Sequence, residues 1–143
     1  MALAAAQVID TLAARVASVP AYAGRVYTSR RWPLADGLLP AWRVYARDET
    51  TERVGLEGPL HRHQLTVAVA GHALAAADLD DTLNGMAALA LAALFAGTPP
   101  NGLELQAINR GEATEGEARL GVVTLVLGTE YYVDASAPET ILS

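Results

Sequence analysis

Cysteine is absent from this 143-residue chain, which excludes disulfide scaffolds, thiolate zinc sites and thiol nucleophiles together and leaves stability to packing. Lysine is absent as well: all ten basic residues are arginine, so no lysine can form a Schiff base or reach a phosphate from a phosphate-binding loop. Long apolar runs are missing too. A membrane-spanning helix needs roughly 20 such residues, and the longest candidate here, Met86 to Phe95, is about half that and continues a polar-faced helix. Basic residues are outnumbered 10 to 16 by acidic ones, for a formal net charge of −6, and their only cluster is Arg30-Arg31. Nucleic-acid affinity comes from clustered cations on phosphates, so this balance opposes a DNA- or RNA-gripping role. The opening Met-Ala-Leu-Ala-Ala-Ala-Gln has no positive leader and Asp10 interrupts the apolar run early, so a cytoplasmic, unsecreted protein is expected.

What is present reads as one domain over residues 1–133 with a C-terminal tail, 134–143. Leu3 is followed six residues on by Ile9, and Leu12, Val16 and Val19 then recur at three- and four-residue steps, predicting an amphipathic helix ended by Pro20. Gly24 to Thr28 reads as a short strand, and residues 29–39, with Pro33, Asp36 and Gly37, as a loop. From Ala41 to Arg47 the residues alternate strictly, Trp42, Val44 and Ala46 on one face and Arg43, Tyr45 and Arg47 on the other. Residues 48–58 hold four acids and two glycines and are expected to form a long polar loop. A third strand runs from Leu60 to about Ala70, with His61, His63, Leu65, Val67 and Val69 on one side. Asp78 is placed as the N-cap of a second helix, whose stripe is Leu79, Leu83, Met86, Ala90 and Leu94 and whose stop is Gly97 with Pro99-Pro100. Leu103 to Arg110 reads as a strand, Gly111 to Glu117 as a second polar connection, and Arg119 to Val133, apolar on both sides, as a central strand. The order helix, strand, strand, strand, helix, strand, strand implies an α+β fold: a mixed or antiparallel sheet of about four to five strands with two helices packed on one face.

No catalytic, cofactor or metal centre emerges from these residues. His61 and His63, two apart on a strand, share a face and could hold a metal, but His72, nine residues beyond His63, falls on the opposite face and no third ligand completes the set. Asp78, Asp80 and Asp81 lack calcium-loop spacing and suit the start of a helix. Ser18, Ser29, Ser136 and Ser143 sit in no nucleophile-elbow sequence. Glu112, Glu115 and Glu117 fall in a polar connection where nothing would shift a carboxyl pKa for acid–base work.

Several segments taken in order carry a resemblance. Leu39-Pro40-Ala41-Trp42-Arg43-Val44-Tyr45 is a proline-led strand ending in Val-Tyr, followed by a polar acidic segment; His63-Gln64-Leu65-Thr66-Val67-Ala68-Val69 follows as a second hairpin strand; Asp78-Leu79-Asp80-Asp81 opens a helix; and Ala118 to Tyr132 closes on an aromatic. Over about residues 3 to 132 this succession resembles the tail terminator proteins of long-tailed bacteriophages, the lambda-like minor tail protein family and its relatives. The resemblance implies a non-enzymatic virion protein, assembled in the host cytoplasm, that forms a hexameric ring on the head-proximal end of the tail tube. Such a ring stops tube growth, presents a surface to the head-tail connector, and lets DNA pass through its lumen without specific binding. An acidic lumen wall would repel the genome, which fits the net charge. Ring contacts would set acids of the two polar connections against arginines of the next subunit. The interface residues expected on that basis are Arg43, Arg47, Asp48, Glu49, Glu52, Arg53, Glu57, Arg62, Glu112 and Glu115.

Three other readings share parts of this pattern. Another neck or tail-completion protein of the same particle would have the same size and acidity. A small bacterial enzyme could use His61 and His63 with a divalent metal. A ligand-binding domain could use the sheet as a platform, with Trp42 and Tyr45 lining a pocket.

Overall fold

The computed structural model describes residues 3–28, 39–55, 58–74, 78–115 and 118–142. Helix α1 spans Ala4–Ala17, strand β1 Val26–Tyr27, β2 Ala41–Arg53, β3 Leu60–Leu74, helix α2 Leu79–Leu94, β4 Glu104–Glu115, β5 Ala118–Asp134 and β6 Ile141–Leu142. The fold is α+β, with a mixed sheet in the order β1-β2-β3-β5-β4 and β6 added beside β5. The β1 and β2 strands run parallel, and every other pair is antiparallel.

The core lies between the two helices and one face of the sheet. Val8, Leu12 and Val16 of α1 and Leu83, Met86, Ala90 and Leu94 of α2 pack against Trp42, Val44, Leu65, Val67, Val69, Val123, Leu125 and Leu127. Register explains the set, because paired residues on antiparallel strands share a face: Trp42 opposes Gly71, Val44 opposes Val69, and Val69 opposes Leu125. Of the stripe expected for α2, Leu83, Met86, Ala90 and Leu94 are buried and Leu79 is half-buried, with Ala87 added to the buried set. Apolar on both sides, β5 is central, flanked by β3 and β4.

Much of the two polar connections is strand rather than loop. Residues 48–53 continue β2 along β3 as far as the Arg53–His61 pair, and Val54 N–H donates to Leu60 O at 2.9 Å where the hairpin closes. Gly111 to Glu115 likewise continue β4 along β5 to the Glu115–Ala118 pair. Main-chain hydrogen bonds hold these ladders whatever the side chains are, and an edge strand facing water needs no apolar face. Asp78 also departs from expectation: it precedes α2, but its side chain makes no capping hydrogen bond. Its carbonyl accepts from Thr82 N–H at 3.0 Å, while Asp80 and Asp81 put carboxylates in the positive first turn. Beyond Asp134 the chain folds back, with Ala4 N–H donating to Pro138 O at 3.1 Å and Val133 pairing with Ile141 in β6.

One arginine ties the helices together. Arg15, in the last turn of α1, donates to Leu94 O at 3.1 Å, Ala96 O at 2.8 Å and Thr98 O at 2.8 Å. These carbonyls sit at and just past the C-terminus of α2, where the helix dipole is negative and the last acceptors lack partners inside the helix. Replacing Arg15 with methionine, which keeps much of the stem but removes the charge and donors, should lower unfolding free energy by about 2 kcal/mol in urea titrations. An unchanged midpoint would show that solvent satisfies those carbonyls equally well.

Candidate functional site

The site is made by an irregularity in β2. Pairing with β3 shifts between Ala46 and Asp48, leaving Arg47 as an extra residue: Ala46 pairs with Val67 but Asp48 with Thr66. A bulge of this kind reverses the alternation of side chains beyond it. Strict alternation would put Glu49 on the face of Arg43 and Tyr45. The bulge instead turns Glu49, Thr51 and Arg53 onto the helix-covered face, opposite Leu65, His63 and His61.

On that face β3 and β5 align His63 with Tyr131. Their rings stack at 5.1 Å between centroids and 14° between planes. Glu49 Oε2 receives two bonds, one from the Tyr131 hydroxyl and one from His63 Nδ1 at 2.9 Å. Tyr131 is 2% exposed, and its phenol is pushed above its ordinary range, first by burial and then by the hydrogen bond to Glu49 and that carboxylate's charge. It therefore stays protonated and remains a donor. His61 is anchored beside them, its Nδ1 2.7 Å from Pro59 O.

These groups border a cavity of about 320 Å³ at the N-terminal end of α1, close to the lower bound for small-molecule pockets. Glu49, Thr51, His61, His63 and Tyr131 form its polar side, and Leu3, Ala4, Ala5, Val133, Ala135 and Pro138 its apolar wall. The folded-back C-terminal segment supplies part of that wall. Among the described residues no three His, Cys, Asp or Glu side chains group to hold a metal ion.

His72 lies on the other face of the sheet, as uninterrupted alternation from His63 requires. It is 4% exposed and accepts a hydrogen bond from Arg43 Nε to its Nε2 at 3.0 Å. Burial, reinforced by the Arg43 charge, brings its pKa down from 6.5 to about 3, so the ring is neutral at pH 7 and Nδ1 carries the proton.

The residues expected at a subunit interface are dispersed. Arg43 is half-buried, bonded to His72, and its guanidinium carbon lies 5.3 Å from the Tyr45 ring centroid. Arg62 forms an ion pair with Glu52 of its own chain. Glu49 belongs to the cavity. Arg47, Asp48 and Arg53 are exposed along β2, as is Glu112 on β4. Glu115 pairs with Ala118 at the end of the β4–β5 hairpin, and Glu57 lies outside the described residues. Trp42 is fully buried beneath the helices; Tyr45 borders a shallow groove with Ile9 and Thr28. The Glu49–His63–Tyr131 cluster was hidden from sequence by the bulge, and its only sequence sign was the shared parity of His61 and His63 with the core residues of β3. No protein-family model matches the chain, and no curated protein matches it.

Proposed function

We propose that the protein is a ring-forming assembly subunit of the tail terminator kind, placed at the head-proximal end of a phage tail, where it caps the tube and offers a joining surface to the connector. The observation that carries this reading is the distribution of open surface. Both helices cover one face of the sheet, and β2 beyond Arg43 and β4 along its length have no strand on their outer sides among the described residues. A head-to-tail ring needs two different surfaces on each subunit, and the two edges differ. The β2 edge exposes Arg47 and Arg53 interleaved with Asp48 and Glu52, while the β4 edge exposes Glu104 and Glu112 on either side of Arg110. Opposite charges across such a contact fix register and orientation more than they add affinity. The net charge of −6 suits a lumen through which DNA slides without sticking.

The test is to add the protein to polymerising tail-tube subunits and image the products by negative-stain electron microscopy. Capped tubes of arrested length are expected, and tubes that grow unchecked would sink the reading. Reversing the β2 charges with Arg47→Glu and Arg53→Glu should raise the protein concentration needed for capping about tenfold or more. Adding Glu104→Arg and Glu112→Arg to the same chain should restore much of the loss. Failure of that rescue would move the contact away from these edges.

A further inference from the structure

We infer that the cavity at the N-terminal end of α1 binds an organic cation, an ammonium or guanidinium on a short apolar stem. The hydrogen-bonding capacity of its polar side points one way. The Tyr131 hydroxyl is spent on Glu49 Oε2, and so is His63 Nδ1. His61 Nδ1 is spent on Pro59 O. With those donors engaged, an imidazole in its unprotonated form has only its Nε2 acceptor left to offer. Thr51 adds a hydroxyl oxygen to the lining. Glu49 Oε1 takes no hydrogen bond among the described residues, so the carboxylate keeps one oxygen and its charge.

With the phenol and both imidazole Nδ1 donors engaged internally, the groups left around the Glu49 carboxylate are mainly acceptors, which matches a ligand rich in N–H donors. The carboxylate is held in place before any ligand arrives, because a buried phenol and a stacked imidazole fix the same oxygen, so little ordering cost remains to be met on binding. Charge-assisted hydrogen bonds to a preorganised carboxylate are about twice as strong as neutral ones. The opposite wall of Leu3, Ala4, Ala5, Val133, Ala135 and Pro138 suits an alkyl stem. A cavity of about 320 Å³ takes a group the size of an arginine or lysine side chain, or of a free short-chain amine. The inference does not depend on the ring reading, since the cavity is complete within one chain.

The experiment is an NMR titration of the full chain at about pH 8, above the usual imidazole range, following the His63 and Tyr131 resonances. The probes are n-butylguanidinium and n-butylammonium, with butyrate and n-butanol as anionic and neutral counterparts. Saturable shifts are expected with both cations, and about tenfold weaker binding or none with the counterparts. Glu49→Gln should weaken cation binding about tenfold while leaving butanol unaffected. Equal binding of butanol and the cations, or no saturable response in the unaltered protein, overturns the proposal whether or not the variant folds. Sedimentation with and without n-butylguanidinium separates the sources of the cation. Dissociation of an oligomer by the probe assigns the cavity to an arginine of a second copy, and binding without any change in sedimentation assigns it to a free amine.

Discussion

Replacing Trp42 with alanine should lower the unfolding free energy by about 4 kcal/mol, the middle of the range for truncating a buried aromatic. The indole is fully buried. It lies across Gly71, its register partner on β3, and a Cβ at Gly71 would meet ring atoms Cη2 and Cζ3 at 2.8 and 2.9 Å and Met86 Cε at 3.0 Å. Tyr22 closes the other side, edge-on at 5.6 Å between centroids and 69° between planes. The ring thus bridges β2, β3, α2 and the turn after α1, and its removal opens a space that four separate elements would have to collapse together to fill.

The same geometry predicts a coupling. Gly71→Ala alone should cost about 2 kcal/mol, because the new methyl meets a ring that cannot retreat from a close-packed core. In the Trp42→Ala background the methyl enters vacated space, so its cost should shrink towards zero or change sign. Urea unfolding of the two single variants and the double variant measures this directly. Strict additivity would show that the glycine is not there to seat the indole.

Much of this core was legible because it obeys simple periods. Helix α2 shows its buried stripe through Leu83, Met86, Ala90 and Leu94, and β5, apolar on both sides in sequence, is the strand flanked by β3 and β4. Nothing disturbs alternation between His63 and His72, so their opposite faces could be counted off. The polar arms were misread for a physical reason. Asp48, Thr50 and Glu52 fall on one side and Glu49, Thr51 and Arg53 on the other, and with polar residues on both sides there is no period-2 hydropathy signal to reveal a strand. Their order comes from the ladder to β3, which a sequence window cannot see. The bulge at Arg47 is likewise silent: no glycine marks it, yet it moves Glu49 across the sheet and thereby creates the cluster with His63 and Tyr131.

Acid should destabilise the fold through a single buried imidazole. In the unfolded chain His72 takes up a proton as the pH falls through 6.5, whereas in the folded protein the ring resists protonation down to about 3. Across that window the unfolded state binds more protons than the folded one, so stability is fully present above pH 6.5 and falls as the pH drops towards 3. Between about pH 7.5 and about pH 4 the loss attributable to this group is on the order of 3 kcal/mol. Two causes act in the same direction: the ring is 4% exposed, and the Arg43 guanidinium is bonded to its Nε2 at 3.0 Å, so a proton arriving there would set two cations against each other in a poorly solvated place. Carboxylates will add their own acid dependence, so the decisive comparison is with His72→Gln. Its amide oxygen can accept the Arg43 bond and it does not titrate. The variant should lose about 1 kcal/mol at neutral pH from imperfect packing but show a flatter decline below it, so that the two stability profiles converge or cross in acid. Parallel profiles in urea titrations across the pH series would mean that Arg43 swings away and lets water reach the ring, which would remove His72 as the origin of acid sensitivity.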